Sequence, residues 1–391
     1  MLHGNSQYLV NDLEATPLFE GRFSQIKLMN CPQGGAKRGF FSLVFKAYDE
    51  LAGRWGALKV FDLDPAKAVQ YRLLSFDREH KLLERLQGVP RCLQLVSPLN
   101  IYSLVASVSG GIEVTLPARY FAVDWLDEDI DDYFLDQNNF SPIEKLRLFN
   151  DVVLAVESLH SRRIFHRDLK YDNFRSHDVR GGREVVAIDL GTAARYDSVP
   201  IAAAYGMPVG MLMYAAPESF CGLAGNRAVA PQSDMFALGC MLFELFHIDD
   251  FPSAFRSSNP DYEIRFAALQ AKLAQATSDE EKLKIWAIEA PRLLSGLSQV
   301  DLYGGGSSTP LCILDFISEM VASMTAIDFR SRWSSFVKVR QYCWRAIRVL
   351  ENEAISKAKA SQAATRRAQK AEKARRRAAA LVRPSVCVTG G

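Results

Sequence analysis

The sequence predicts an α+β fold of two lobes: a small five-stranded β lobe carrying one helix, then a larger, mainly helical lobe. Three observations lead there. Up to residue 126 the apolar residues fall in short alternating runs broken by glycine and proline, the pattern of half-buried strands. After Leu126 the composition turns helical. Ser233 to Phe246 is apolar around most of its circumference, which for so short a helix means burial at the centre of a lobe.

Residues 1–22 give weak signals and are expected to form an N-terminal extension of uncertain order. Phe23 to Asn30 and Phe41 to Tyr48 alternate and favour strand, separated by a wide loop bearing Gly34, Gly35 and Gly39. Trp55 to Phe61 forms a third strand. Asp64-Pro65 can cap and start a helix running to Leu86, with Gly88 and Pro90 as stop signals. Two further strands are expected at Asn100–Ser107 and Arg119–Trp125, with Gly110-Gly111 and Ile112–Thr115 in the connection. In the second lobe Ser141-Pro142-Ile143-Glu144 reads as a capping box, and Leu146, Phe149, Val153, Val156 and Leu159 or His160 continue one apolar stripe. Helices follow at Tyr262–Ala274, Asp279–Ser295 and Leu311–Met324. The expected division is an extension (1–22), a β lobe (23–126), a helical lobe (127–350) and a basic, alanine-rich helical tail (351–391).

A chain of 391 residues with 48% hydrophobic content can bury a sizeable core. No apolar run approaches the roughly 20 residues that span a bilayer, and Met1 to Asn11 lacks a signal-peptide pattern, so a cytoplasmic protein is expected. The seven cysteines lie far apart with no Cys-x-x-Cys pair, which argues for reduced thiols rather than a disulfide framework or a zinc site. Charge is uneven. Lys357 to Arg383 holds ten basic residues and one acid, a net +9 out of a total of +2, so the rest of the chain carries −7. That tail lacks aromatic residues; it reads as a solvated helical extension or as a weak, nonspecific contact for nucleic acid, an anionic membrane or an acidic partner.

The chemistry concentrates in His166-Arg167-Asp168-Leu169-Lys170-Tyr171-Asp172-Asn173 and Ile188-Asp189-Leu190-Gly191. Two carboxylates and an amide at this spacing suit phosphoryl transfer: one carboxylate orients the attacking hydroxyl, while the amide and the second carboxylate hold Mg²⁺. Asp168 fits the first role, and Asn173 and Asp189 fit the metal role. Lys59 lies on an apolar strand, where an unpaired ammonium is costly. Glu79, three residues after Phe76 and four before Leu83, sits on the inward stripe of its helix and is the natural partner.

With Ala57-Leu58-Lys59, Glu79, the His166 segment, Asp189-Leu190-Gly191, Ala216-Pro217-Glu218, Asp234 and Arg332 in this order, the chain resembles the eukaryotic-type protein kinase family from about residue 23 to 349. The resemblance implies that Mg-ATP is the cofactor and a protein hydroxyl the substrate. It implies that Lys59 meets the α and β phosphates, held by Glu79, and that Asp168 is the catalytic base. Lys170 resembles the serine/threonine branch, where it contacts the γ-phosphate. Val44 is implied over the adenine, Ala57 among the nucleotide-binding positions, the backbone of Asp124 and Leu126 at the adenine edge, and Asp129 or Asp127 at the ribose. Glu218 and Arg332 resemble a structural ion pair, Asp234 an acceptor for catalytic-loop N–H groups, and Arg167 a receptor for a phosphate on Tyr196 or Ser198.

The departures are specific. Only Gly39 matches the glycine-rich loop, leaving Gly34 and Gly35, or the charges of Lys37 and Arg38, to serve the phosphates. Leu190 replaces a phenylalanine, Arg175 an apolar floor for adenine, and Met211 a threonine that contacts the base. The expected function is a serine/threonine protein kinase; the alternative is a pseudokinase scaffold that keeps a nucleotide cleft. A small-molecule kinase is disfavoured by Ala216-Pro217-Glu218 and Asp234.

Overall fold

The computed structural model describes residues 2–31, 42–67, 70–108, 112–179, 182–195, 210–300, 302–303 and 305–381. The first lobe comprises helix α1 (Gly4–Ala15), strands β1 (Phe23–Leu28), β2 (Ser42–Asp49) and β3 (Arg54–Phe61), helix α2 (Gln70–Leu86), and strands β4 (Leu95–Val108) and β5 (Ile112–Asp124). The five strands form one antiparallel sheet in the order β1-β2-β3-β5-β4. Central β3 sets Lys59 beside Val44 on one flank and Phe121 on the other.

One face of the sheet packs on α2. Phe76 is buried between Phe61 and Phe121, with ring centroids 5.6 and 4.9 Å away. The opposite face is covered by α1, whose buried Leu9, Val10 and Leu13 join Leu43, Phe45, Leu58 and Tyr120 in a second core. Residues 1–22 therefore contain an ordered, docked helix rather than a segment of uncertain order. Its apolar stripe is narrow, and the bonds that fix it are long-range: Ser6 Oγ donates to Asp62 Oδ1 at 2.6 Å, and Tyr102 Oη to Asp12 Oδ2 at 2.7 Å. Ile112–Thr115, expected in a connection, instead extends β5, because Val105 and Ala106 of β4 pair with Thr115 and Val114.

The second lobe begins with strand β6 (Glu128–Asp129) and helices α3 (Asp132–Leu135) and α4 (Pro142–Ser161). The capping box at the start of α4 is complete: Ser141 N–H donates to Glu144 Oε2 at 2.7 Å, and Glu144 N–H to Ser141 Oγ at 3.3 Å. Short strands β7 (Ile164–Phe165), β8 (Phe174–Val179), β9 (Gly182–Ala187) and β10 (Ala194–Arg195) follow, then helices α5 (Ala230–Phe246), α6 (Phe251–Ser258), α7 (Tyr262–Leu273), α8 (Asp279–Leu293), α9 (Leu314–Met324) and α10 (Phe336–Leu381). Buried side chains run along α5 from Asp234 to Phe246, as its apolar circumference requires. Strand β8 and helix α6 are elements that the sequence reading did not place.

No helix among the described residues is long and apolar enough to cross a membrane. The cysteines among them are free thiols.

Candidate active site

The site lies where the sheet of the first lobe faces the segments around β7 and β8. Lys59, on β3, points between the sheet and α2, where Glu79 receives it: Nζ donates to Oε1 at 2.7 Å and to Oε2 at 2.8 Å. Both side chains are nearly enclosed, at 10% and 3% exposure, so each charge needs the other. Asp189 Oδ1 lies 3.8 Å from the same ammonium. Burial alone would push Lys59 down, but Glu79 and Asp189 outweigh it and hold the ammonium above its ordinary range. Burial pulls the Glu79 carboxyl upward, opposed by Lys59 and by the Leu190 N–H, which donates to Oε1 at 3.2 Å. Glu79 thus ties α2 to the Asp189 segment. Asp189 itself adopts left-handed backbone geometry, φ 60° and ψ 67°, a conformation uncommon for residues other than glycine.

The loop after β7 is shaped by Asp234 of α5. Its buried carboxylate accepts the backbone N–H groups of His166 and Arg167, each at 2.8 Å, and the His160 ring at 2.8 Å. Burial would raise this carboxyl, yet His160 and the backbone donors hold it below the ordinary carboxylate range. The anchored turn places Arg167 at φ 67° and leaves Asp168 at the cleft. Asn173 closes the loop: its amide donates to Asp168 O at 2.7 Å and approaches Asp168 Oδ2 at 3.3 Å. The Ile188 N–H donates to Asn173 O at 2.9 Å, and the His166 ring meets Ile188 O at 2.8 Å. These bonds fix the two metal-binding candidates, Asn173 and Asp189, on adjoining segments.

Asp168 is raised above the ordinary carboxyl range, first by burial and also by Asp189, against the lowering effect of the Met211 N–H. That N–H donates to Asp168 Oδ1 at 2.8 Å. A small cleft lined by Asp168, Met211, Tyr214 and Ser219 opens beside the contact. Lys170 Nζ lies 3.3 Å from Asp172 Oδ2. Around this centre, Arg332 donates to both oxygens of Glu218, at 2.6 and 2.8 Å, with both side chains fully enclosed. Arg167 is buried, which lowers it to about 10, and its Nε and Nη2 have no partner among the described residues.

The positions expected at the nucleotide divide. Val44 pairs with Lys59, Ala57 is buried on β3, and Leu126 enters the core just beyond β5. Asp124 ends β5 opposite Gly56, and its carboxylate meets Arg54 at 2.9 Å. Asp129 is engaged by Arg175, with Nε to Oδ1 at 2.6 Å, so a ribose would share that carboxylate. Gly34, Gly35, Gly39, Lys37 and Arg38 lie outside the described residues, as do Tyr196 and Ser198. Sequence reasoning did not single out Gly210, the backbone of Met211, or the pairs Arg175–Asp129 and Tyr214–Glu244. The first two have no signature beyond Met211 standing in place of a threonine.

The chain matches the protein kinase domain model over residues 37–341, well over half of its length. It is 26% identical over 251 residues to a putative ribosomal protein S6 kinase alpha-2 of Caenorhabditis elegans, covering 61% of this chain and 29% of that protein. It is 30% identical over 212 residues to a probable serine/threonine-protein kinase of Corynebacterium efficiens, covering 53% of this chain and 29% of the relative. A calcium/calmodulin-dependent protein kinase type 1 of Macrobrachium nipponense is 24% identical over 243 residues, covering 61% of this chain and 56% of its own. The chain thus spans less than a third of the first two relatives. A five-stranded sheet with α2 packed on one face, a helical lobe, a buried Lys59–Glu79 pair, and a loop held by Asp234 agree with that match: the chain belongs to the protein kinase family.

Proposed function

We propose that this kinase transfers the γ-phosphate of Mg-ATP to serine or threonine hydroxyls of a protein. The observation that carries the reading is the joining of two clusters, Lys59–Glu79–Asp189 and Asp168–Asn173, through the Asn173–Ile188 backbone bond. Lys59 would hold the α and β phosphates, and Asn173 and Asp189 supply oxygen donors of the hard kind that suits Mg²⁺. The metal would neutralise charge on the transferred group. Asp168, with its raised carboxyl, orients the substrate hydroxyl and takes its proton. Lys170, two residues on, favours a serine or threonine acceptor, as does the description of the Corynebacterium efficiens relative as a probable serine/threonine-protein kinase. Val44, Ala57 and the backbone of Asp124 and Leu126 would frame the adenine, with Asp129 at the ribose. Arg167 Nε and Nη2, buried and without a partner among the described residues, suit a phosphate on Tyr196 or Ser198.

The test is incubation of the purified chain and its Asp168→Ala variant with labelled ATP, Mg²⁺ and a generic basic protein, followed by phosphoamino-acid analysis. Phosphoserine or phosphothreonine in the wild type alone is expected. Equal absence of label in both would favour a scaffold, and phosphotyrosine would overturn the substrate class.

A further inference from the structure

Helix α10 changes character along its 46 residues. Its first half lies on the second lobe, burying Val339, Cys343, Ala346 and Leu350. The side chains of Glu351 and Glu353 make its last bonds to the lobe, with Arg147 at 3.3 Å and Cys312 at 2.8 Å. From residue 354 to 377 every residue is exposed.

The basic residues of this exposed half are not scattered. At 3.6 residues per turn, Lys359, Arg366, Lys370, Lys373 and Arg377 fall within an arc of about 60°, on a line about 27 Å long. The same periodicity sets that line roughly opposite the face that Val339, Cys343, Ala346 and Leu350 bury, so it turns away from the lobe. The nearby acids are taken by cations off the line: Glu353 by Lys357 at 2.7 Å, and Glu372 by Arg376. None of the five makes an ion pair among the described residues. Their charge is directed outward and uncompensated.

The chemistry of the segment selects the partner. From Ser356 to Ala380 there is no aromatic and no large aliphatic residue, so it has no apolar face to enter a bilayer and no ring on which an unpaired base could stack. Six alanines stand among Ser361, Gln362, Thr365 and the other residues between Lys359 and Arg377, and an α-helix of the usual 10–12 Å diameter is about the width of the B-DNA major groove. The deep, narrow major groove of duplex RNA would not admit it. Duplex DNA presents about one phosphate charge per 1.7 Å, an array that a straight row of cations can follow. We propose that the Lys359–Arg377 stripe binds duplex DNA through its phosphates, without reading bases.

The test is fluorescence anisotropy of the full chain with a short random-sequence DNA duplex over a salt series. Wild type is expected to bind with a log–log salt slope of about −4.5, the value for five phosphate contacts. A variant carrying K359Q, R366Q, K370Q, K373Q and R377Q keeps good helix formers, as circular dichroism would verify. It is expected to lose on the order of 100-fold or more in affinity at low salt, with a nearly flat slope. Removing three of the four off-line cations, in K357Q/R375Q/R376Q, should cost less than about tenfold. Absence of duplex binding at low salt, equal losses in the two variants, or tighter binding to single-stranded RNA, to anionic vesicles or to an acidic protein would each overturn the proposal. Asp168→Ala should leave DNA binding unchanged, so the result stands apart from that of the phosphotransfer assay.

Discussion

Met211 donates its backbone N–H to Asp168 Oδ1 over 2.8 Å, so main chain, not a threonine hydroxyl, restrains the carboxylate proposed as the base. The residue before it makes this approach possible. Gly210 has φ +84°, and a Cβ added there would lie 2.5 Å from Asp168 Oδ1.

Gly210→Ala is therefore expected to displace Asp168 and lower kcat by about 100-fold, since a misplacement near 1 Å has that scale of effect. The KM for ATP should hold. Met211→Ala retains the N–H and should stay within a few-fold of wild type. Steady-state kinetics checks both, and a larger loss for Met211→Ala than for Gly210→Ala would assign the role to the side chain instead.

The enclosed Glu218–Arg332 pair should behave as a buried ion pair. Arg332→Leu leaves Glu218 stranded and is expected to cost about 3–5 kcal/mol in urea denaturation. Replacing both residues with leucine removes the stranded charge, so the double variant should lose less than the sum of the single losses. Additive losses would contradict the coupling.

Tyr214 donates its hydroxyl to Glu244, whose carboxyl is pushed up to about 7 from an ordinary 4.5, first by burial and then by Asp250, despite that hydrogen bond. A carboxyl raised on folding binds its proton more tightly in the folded state. Its contribution to stability is complete below about pH 4.5 and is lost as pH rises to about 7. Glu244→Gln should flatten the melting temperature across that window, removing a decline on the order of 2 kcal/mol. Parallel profiles for wild type and variant would show that Glu244 does not titrate there.

Arg175 holds Asp129 through its Nε at 2.6 Å and also donates to Asp172 O and Phe174 O. Arg175→Leu frees Asp129 for a ribose and supplies an apolar floor. A fall of about fivefold in the KM for ATP is expected, equivalent to about 1 kcal/mol of apolar contact. An increase would mean that the guanidinium itself supports the nucleotide.

How much of this was legible in the chain depends on distance and direction. Asp168 and Asn173 are five residues apart, and their bond follows from local spacing. Lys59 and Glu79 were legible because strand and helix periodicities each turned a charge inward, and two inward charges of opposite sign need one another. The Gly210–Met211 contact depends on one left-handed φ and a chain return across 43 positions, which no local pattern encodes. The docking of α1 was hidden for a related reason: Leu9, Val10 and Leu13 make a narrow stripe, and the bonds to Asp62 and Tyr102 join distant parts of the chain. Strand β8 was missed because it is short and directly follows the Asn173 turn.

If Lys59, Asp168, Asn173 and Asp189 act on one Mg-bound triphosphate, calorimetric titration of ATP with and without Mg²⁺ will register it. Binding by the wild type that strengthens with Mg²⁺ is expected, and an Asp189→Asn variant should lose that Mg²⁺ dependence. Equal ATP affinity with and without Mg²⁺ in the wild type, or no binding under either condition, would contradict it.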